Sequence, residues 1–149
     1  MPTKKKKDVI VDIDGTLADV SHRLHYIRGK RKKWQKFFAL MSEDKPVKEV
    51  IDKVVELAKT HNIYVVSGRP EDYRAITEEW LELHEVPYNA LYMRRAGDHR
   101  PDDRVKQDIL DEYFDKARVE LVIEDRPRVI RMWKKNGLNV LEVGTGEEF

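Results

Sequence analysis

Apolar residues along the chain alternate between two patterns, short β-branched runs and longer segments with helical spacing. Short apolar runs are typical of buried strands, and apolar positions three and four residues apart favour amphipathic helices. The predicted strands are 8–11, 62–66, 90–93, 119–123 and 139–143, and the predicted helices are 47–61, 71–84, 102–116 and 126–135. Repeated β–α units predict parallel strands with helices on both faces of the sheet.

The pattern predicts an α/β fold, a three-layer Rossmann-like sandwich around a central parallel sheet of about five strands. We expect one domain over residues 1–149. Segment 18–46 breaks the alternation and carries Trp34, Phe37 and Phe38 among many basic residues. It predicts a small helical cap insertion over the carboxyl ends of the strands, where open α/β sheets bind ligands. The alternative is a plain crossover helix.

The aromatic residues are expected to serve mainly in packing. In the helix over 71–84, the spacing predicts that Ile76, Trp80 and Leu83 share the buried face. Trp80 and Trp133 are predicted to lie in the core. The aromatics of 34–38 either seat the insertion on the domain, which we favour, or stack on nucleobases.

Composition narrows the class of protein. The chain has no cysteine, which excludes disulfides, thiolate metal sites and a cysteine nucleophile. No apolar run approaches transmembrane length, so we expect an intracellular, cytoplasmic protein without a membrane partner. Net charge is +1, but residues 1–36 hold 11 Lys/Arg against 4 Asp/Glu. This basic quarter indicates either a polyanionic partner or a solvated arm and helix face.

Candidate chemistry begins where the first strand, 8–11, ends. Asp12 and Asp14 stand two residues apart and so emerge on the same side of the extended chain. Two carboxylates at the edge of a core need a cation, a charge partner or a shared proton. Gly15 permits a sharp turn, and Thr16 with the following amides can meet an anion. The pair therefore predicts a magnesium-dependent phosphate site.

Three more polar clusters follow apolar runs or begin helices. They are Ser67-Gly68-Arg69, Asp102 with Lys106, and Glu124-Asp125. Each alone is an ordinary loop or helix start. With the Asp12/Asp14 pair they make four clusters, and in a doubly wound sheet three of the four are expected to lie at the same edge.

These residues resemble, in order, the four motifs of the haloacid-dehalogenase-like phosphatase superfamily: Asp12–Leu17, Ser67, Lys106 and Glu124-Asp125. The similarity is closer to the 3′-phosphatase domain of phage-type polynucleotide kinase/phosphatases. The segments that carry it are Val66–Pro70, Leu91–Arg94, Gly97–Asp102, Val105-Lys106 and Ile123–Arg126. It extends from Asp8 to about Val143, and a phage-encoded protein would fit it.

The resemblance implies covalent catalysis. Asp12 is expected to attack phosphorus and form an aspartyl-phosphate. Asp14 is expected to protonate the leaving hydroxyl and then to deprotonate the attacking water. Mg²⁺ would be held by the Asp12 carboxylate, the Asp14 carbonyl and Asp125. Glu124, where the family commonly has aspartate, would reach the metal through water or orient Lys106.

The resemblance also implies a phosphate-binding set. Its members are Thr16, Arg23, Ser67, Gly68, Arg69, Asp102 and Lys106. The fork of Arg69 suits two phosphate oxygens, and Arg23 would approach the phosphate from the insertion. Asp102, one helical turn before Lys106, would orient the Lys106 ammonium or act as an N-terminal helix charge.

The function that follows is magnesium-dependent removal of 3′-terminal phosphate from DNA or RNA ends, or from 3′-nucleotides, in nucleic-acid end repair. The chain contains no Gly-x-x-x-x-Gly-Lys-Ser/Thr motif, so we expect phosphatase activity alone and a separate kinase or ligase as partner. One alternative is a 5′-nucleotidase or other small-molecule phosphatase on the same scaffold. Another is a catalytically silent nucleic-acid-binding module.

Overall fold

A computed structural model describes residues 6–145, and these residues form the predicted three-layer α/β fold. The strands are β1 (Asp8–Val11), β2 (Ala18–Asp19), β3 (Lys45–Pro46), β4 (Asn62–Pro70), β5 (Ala90–Arg94), β6 (Val119–Glu124) and β7 (Val140–Glu142). The α-helices are α1 (Trp34–Ala39), α2 (Lys48–Leu57), α3 (Arg74–Leu83), α4 (Asp102–Tyr113) and α5 (Pro127–Lys135). Short 3₁₀ turns precede or follow several of them.

The central sheet is parallel, with the strand order β5-β4-β1-β6-β7. In its middle, Val11 of β1 pairs with Val65 on one side and with Ile123 on the other. All four residues of β1 are buried, which explains its continuous apolar run. The chain builds the sheet first to one side of β1 and then to the other, so the strand order reverses beside it. Ligands bind at such a reversal, beyond the carboxyl ends of the strands.

Residues 18–46, here called the cap, leave the domain and return to it at one point. Ala18 pairs with Pro46, and Asp19 pairs with Lys45, in the antiparallel ladder of β2 and β3. Between these strands lie two 3₁₀ turns, at Ser21–Tyr26 and Met41–Glu43, with α1 between the turns. The segment predicted to be a helical insertion therefore forms a small helical unit outside the sheet.

The prediction for α3 was wrong in its buried face. Leu83 is 71% exposed, and the buried positions are Thr77, Trp80 and Leu81. At 100° per residue, positions 77, 80 and 81 share one side of the helix, and Leu83 turns away from it. The prediction that Trp80 and Trp133 lie in the core is confirmed, since both are almost fully buried.

The predicted strands and helices are all found, with small differences at their ends. The helix predicted over 71–84 begins as a 3₁₀ turn at Glu71–Tyr73, and α4 ends three residues earlier than predicted. Strand β4 continues through Pro70, four residues past the predicted end, and carries Ser67 to Arg69 within it. Within residues 6–145, none of the helices has both the length and the apolarity to cross a membrane.

Candidate active site

Asp12 lies at the carboxyl end of β1, in the centre of the sheet edge. Its backbone N–H donates to the carbonyl of Ile123 (3.0 Å), which continues the pairing of β1 with β6 by one residue. Lys106 Nζ donates to Asp12 Oδ1 at 2.7 Å, and Thr16 Oγ1 donates to Asp12 Oδ2 at 3.1 Å. Both carboxylate oxygens are thus oriented by groups from other segments of the chain.

Lys106 projects from the second turn of α4 and is buried with its charge. Its ammonium also donates to Glu124 Oε1 (3.0 Å), so it bridges two carboxylates. Burial alone would lower the pKa of Lys106, but the charges of Asp12 and Glu124 outweigh burial and raise it. Lys106 therefore stays protonated at neutral pH.

Glu124 is fixed by α5 as well as by Lys106. Trp133 Nε1 donates to Glu124 Oε1 at 3.2 Å, and the Asp125 N–H donates to Glu124 Oε2 at 3.2 Å. Of the two roles expected for Glu124, orientation of Lys106 corresponds to a hydrogen bond in this structure. A role toward a metal through water stays a prediction.

Asp12, Glu124 and Asp125 form a buried acidic cluster, with one ligand oxygen from each lying within 4.8 Å of the others. Burial and the neighbouring Asp12 charge raise the pKa values of Glu124 and Asp125. Three carboxylates against one ammonium leave the cluster short of positive charge. Oxygen ligands at this spacing fit a hard divalent cation such as Mg²⁺.

Gly15 leaves room for the Asp125 carboxylate. A Cβ at Gly15 would lie 2.0 Å from Asp125 Oδ2, and the residue has a φ of +85°. Both the space and the backbone conformation require glycine here. Thr16 Oγ1 lies 3.1 Å from Asp125 Oδ1 as well as from Asp12 Oδ2, so its single hydroxyl hydrogen is shared between the two carboxyl groups and the turn after β1 positions the cluster directly.

Asp14 lies between two arginines, one from the cap and one from β4. Arg23 Nη2 donates to Asp14 Oδ1 at 3.0 Å, and Arg69 Nη2 donates to the same oxygen at 2.6 Å. Burial would raise the pKa of Asp14, but the charges of Arg69 and Arg23 outweigh it and lower the pKa to about 2. Asp14 is therefore a carboxylate at neutral pH in this arrangement.

Asp44 holds these two arginines together, and the sequence analysis missed it. Its carboxylate accepts from Arg23 Nε (2.7 Å), Arg23 Nη2 (2.8 Å) and Arg69 Nη2 (3.2 Å), and it pairs with His22 at 2.7 Å. The side chains of Asp44, Arg23 and Arg69 are fully buried. No motif identifies Asp44, because its partners are distant along the chain.

Asp102 does not hydrogen bond to Lys106, which corrects the expectation that it orients this ammonium. It accepts instead from Arg126 Nη1 at 2.8 Å and from Arg94. From its position at the start of α4 the Asp102 carboxylate faces these two arginines, at the end of β5 and just before α5, while Lys106 donates to Asp12 after β1. The charge of Asp102 still contributes to raising the pKa of Lys106.

Ser67 and Gly68 lie at the same edge of the sheet on β4, next to β1. Ser67 is buried, and its Oγ accepts from the backbone N–H of Arg69 at 3.1 Å. A Cβ at Gly68 would lie 2.3 Å from Asp102 Oδ1, so this glycine makes room for the Asp102 carboxylate. The structure thus brings every predicted site residue to one sheet edge.

A cleft of about 650 Å³ opens above this edge. Asp12, Asp14, Lys106 and Asp125 line its floor, and the cap contributes Trp34 to its wall. Arginines from the β5–α4 region and the start of α5 line the other side: Arg94, Arg100, Arg126 and Arg128. A buried carboxylate beside an ammonium and an acidic cluster, in a cleft lined by arginines, has the groups needed to bind and attack a phosphate ester.

A family model for the phosphatase domain of polynucleotide kinase PNKP matches residues 6–148. The chain belongs to this family. A protein of Autographa californica nuclear polyhedrosis virus, described as a candidate bifunctional polynucleotide kinase/RNA ligase, is 30% identical over 135 residues. A nucleotidase of Clostridium acetobutylicum is 28% identical over 108 residues. The phosphatase domain of this chain is thus similar to both nucleic-acid and nucleotide enzymes.

Solved structures support the same placement. A chain of the Pnkp1/Rnl/Hen1 RNA repair complex superposes with a TM-score of 0.81 and 25% identity, over 98% of this chain and 46% of that chain. A haloacid dehalogenase-like hydrolase of Streptococcus pneumoniae has a TM-score of 0.69 and 14% identity, over 96% and 88% of the two chains. The second likeness concerns the fold alone.

The alignments cover most of this chain but a limited part of each relative. They span 88% of this chain and 18% of the viral protein, and 72% of this chain and 50% of the clostridial nucleotidase. The chain thus corresponds to half or less of the length of these curated relatives. What the remaining parts of those proteins do is not carried over to it.

Proposed function

We propose that this phosphatase domain removes 3′-terminal phosphate from DNA or RNA ends in a magnesium-dependent reaction. The observation that carries the proposal is the arrangement of Asp12, Lys106 and the acidic cluster on the floor of a basic cleft, in a chain of the PNKP phosphatase family. An open cleft of this kind can admit the end of a polymer, whereas a small metabolite is better suited to an enclosed pocket.

Asp12 is the proposed nucleophile. Its carboxylate oxygen forms a bond to phosphorus while the bond from phosphorus to the 3′ oxygen breaks, which leaves an aspartyl-phosphate. Lys106 and Thr16, which donate to Asp12 in this structure, stand where they can also donate to phosphoryl oxygens. Ser67, on the adjacent strand β4, completes this group of donors.

Asp14 is the proposed acid and base, and its two arginines explain how it changes protonation state. Held by Arg23 and Arg69, Asp14 is ionised and cannot donate a proton. A substrate phosphate competes for the same guanidinium groups, since phosphate is a strong acceptor for arginine. When they turn to the substrate, the Asp14 pKa rises, so Asp14 can take up a proton from solvent and give it to the leaving 3′ oxygen. It later accepts a proton from the attacking water, whose oxygen bonds to phosphorus as the bond from Asp12 to phosphorus breaks and inorganic phosphate leaves.

Mg²⁺ is the proposed cofactor, held by Asp12, Asp125 and the Asp14 carbonyl, with Glu124 nearby. When bound, it would neutralise the repulsion between the Asp12 carboxylate and the phosphate. The fit rests on the three buried carboxylates, their shortage of positive charge and the space at Gly15. Glu124 and Lys106 keep Asp12 oriented during the reaction.

The test compares oligonucleotides that differ only in the end that carries phosphate. Purified protein is assayed with Mg²⁺ on 3′-phosphorylated and 5′-phosphorylated DNA and RNA, and with EDTA as the metal-free control. We expect phosphate release from 3′ ends, with none in EDTA. Asp12→Asn protein prepared in the same way controls for contaminating phosphatase. Preference for 5′ ends would overturn the assignment.

A second candidate is a nucleotidase acting on mononucleotides, favoured by the 28% identity to the clostridial nucleotidase. Equal kcat/KM values for a 3′-mononucleotide and a 3′-phosphorylated oligonucleotide would support this candidate. A silent binding module is disfavoured because Asp12, Asp14, Lys106 and Asp125 are all present and meet in one cleft.

We also propose a separate kinase or ligase as partner and a cytoplasmic location. The partner proposal is supported by the similarity to a chain of the Pnkp1/Rnl/Hen1 complex, whose components assemble for RNA repair. We propose no kinase activity for these residues. An assay of 5′-phosphate transfer from ATP, with and without an added kinase, tests that statement.

A further inference from the structure

We propose that the cap carries a nucleobase subsite at Trp34, with the exposed basic segment 28–36 beside it receiving the sugar–phosphate backbone. The subsite would bind the terminal base of a strand whose 3′-phosphate lies at Asp12. This inference deepens the proposed function, because it names what recognises the substrate beyond its phosphate.

Trp34 belongs to the same cleft as the catalytic residues. Its side chain lies in the wall of the cleft that has Asp12 and Lys106 on its floor. A phosphoryl group fills little of about 650 Å³, and clefts of ~300–1,000 Å³ are the usual size for ligands much larger than phosphate. The space beyond the phosphate centre therefore fits the remainder of a nucleotide.

Trp34 is exposed but firmly supported. It is 42% exposed, whereas Trp80 and Trp133 are buried. Phe38 stacks against the indole at 5.8 Å between centroids with an interplanar angle of 25°, and Phe37 contacts it edge-on at 5.8 Å. Phe37 is almost fully buried. A large aromatic ring that is held in place at little conformational cost is suited to stacking on a base.

Phe38 links this platform to the main domain. Its ring packs on Tyr73, in the turn before α3, with centroids 4.9 Å apart. Tyr73 and Phe38 both line the cleft. The aromatic wall is therefore continuous from Trp34 on the cap to Tyr73 beside the end of β4, on the side of the cleft where Arg69 holds Asp14.

The charge around Trp34 matches a polyanion. Residues 20–42 contain no Asp or Glu. Six cationic side chains of 28–36 are exposed: Arg28, Lys30, Arg31, Lys32, Lys33 and Lys36. Lys32 Nζ lies over the Trp34 ring, 5.6 Å from its centroid. A base that stacks on this face displaces the ammonium, which can then pair with the adjacent phosphate.

Tryptophan fluorescence tests base stacking without any need for catalysis. Asp12→Asn protein is titrated with a 3′-phosphorylated oligonucleotide and with the same oligonucleotide carrying an abasic terminal sugar. We expect the base-bearing oligonucleotide to quench the tryptophan fluorescence more than the abasic one. This quenching should disappear in the double variant Asp12→Asn, Trp34→Phe, because Trp34 is the exposed tryptophan. Quenching that persists in the Trp34→Phe protein, or is equal for the two oligonucleotides, would overturn the proposal.

Kinetics then test the consequence for turnover. Trp34→Ala is expected to lower kcat/KM on the base-bearing end by about tenfold, the order of one stacked base, and to leave the abasic end unchanged. Trp34→Phe should retain most activity, and Leu83→Ala, exposed on α3 outside the cleft, should retain all of it. Equal losses on both ends contradict base stacking.

The two proposals fail in different ways. If wild-type protein with Mg²⁺ releases 3′-phosphate from neither the base-bearing nor the abasic oligonucleotide, while the base-bearing oligonucleotide still quenches Trp34, the proposed reaction is wrong and the subsite stands. If both oligonucleotides are hydrolysed equally well and no quenching is seen, the reaction stands and the subsite is wrong.

Discussion

Buried charges meet where β1 ends, and their ion-pair partners are far away in the sequence. Asp14 and Asp44 face Arg23 and Arg69, which balances two negative charges with two positive ones. Asp12, Glu124 and Asp125 face Lys106 alone. The first group is neutral by itself, and the second, with three ionised carboxylates, has a net charge that either a divalent cation or bound protons neutralise.

Asp12→Asn removes the proposed nucleophile, and we expect hydrolysis to fall to background. The amide keeps the size of the side chain and an oxygen that can accept from Lys106, so the fold and oligonucleotide binding should persist. Phosphate release measures activity, and circular dichroism with a binding titration measures the rest. Undiminished turnover in this variant would contradict covalent catalysis.

Asp44→Ala removes one of the two carboxylates that the buried guanidinium groups of Arg23 and Arg69 share, and leaves them with Asp14. We expect the free energy of unfolding to fall by about 3 kcal/mol, the range for removal of one partner from a buried ion pair. Urea unfolding measures this loss. Glu43→Ala, at the exposed neighbouring position, is the matched control and should change it by less than about 0.5 kcal/mol. Equal values for the two variants would refute the bridging role.

The site residues that could be predicted from the sequence are those that stand at or just after a recognisable apolar run. Asp12 and Asp14 follow the apolar run that ends at Val11. Ser67 directly follows the run 62–66, and Asp125 stands two residues after the run 119–123. Asp44 has no such context, because an acid between Glu43 and Lys45 resembles a solvated loop charge. Its burial arises from tertiary packing of the cap, which no short-range pattern encodes.

Among the elements, the order and type of strands and helices were predictable because two periodicities alternate cleanly. The ends were less so: the turn at Glu71–Tyr73 satisfies the same periodicity as a helix, but its geometry is 3₁₀. The face of α3 was mistaken because Leu83 is apolar and exposed, and spacing alone does not distinguish it from Leu81. Leu81 is buried in the core cluster that also contains residues of β1 and β4, and Leu83 is not.

Helix α3 also anchors the cap. Trp80 Nε1 donates to the Asp44 carbonyl at 2.9 Å, so a buried residue of the main domain holds the returning end of the cap. Trp80→Phe keeps an aromatic ring but loses this donor, and we expect a loss of about 1–2 kcal/mol in the free energy of unfolding. Leu83→Ala on the same helix is the control. The anchoring role of Trp80 would be contradicted if the free energy of unfolding fell in Leu83→Ala and did not fall in Trp80→Phe.

For the whole molecule, the acidic cluster links stability to metal and pH. Burial and Asp12 raise the pKa values of Glu124 and Asp125, so the metal-free folded protein binds protons that the unfolded chain has already released. The free energy of unfolding of the metal-free protein therefore falls as pH rises from the ordinary pKa values of these two carboxyl groups to their raised values. Mg²⁺ competes with these protons, so stabilisation by Mg²⁺ should increase with pH.

Thermal unfolding with and without Mg²⁺ measures this linkage. At ~100 times the Kd we expect about 2.7 kcal/mol of stabilisation, or an increase in Tm of roughly 5–10 °C. The increase should be larger at about pH 8 than at about pH 6. The increase in Tm on adding Mg²⁺ should be absent in Asp125→Asn. It should be retained in Asp111→Asn, because Asp111 is exposed on α4. A pH-independent increase in both variants would refute the metal site.

The pairing of β2 with β3 has an evolutionary consequence. Because the cap starts and finishes at adjacent points, replacing its interior requires no change in the sheet. Arg23 and Asp44, near its two ends, contact Asp14 or its arginine partner and limit what a replacement can contain. Related chains should therefore retain both residues and the buried Phe37 while varying in the exposed stretch 28–36, and an exchange of that stretch between relatives should transfer substrate preference without altering the chemistry.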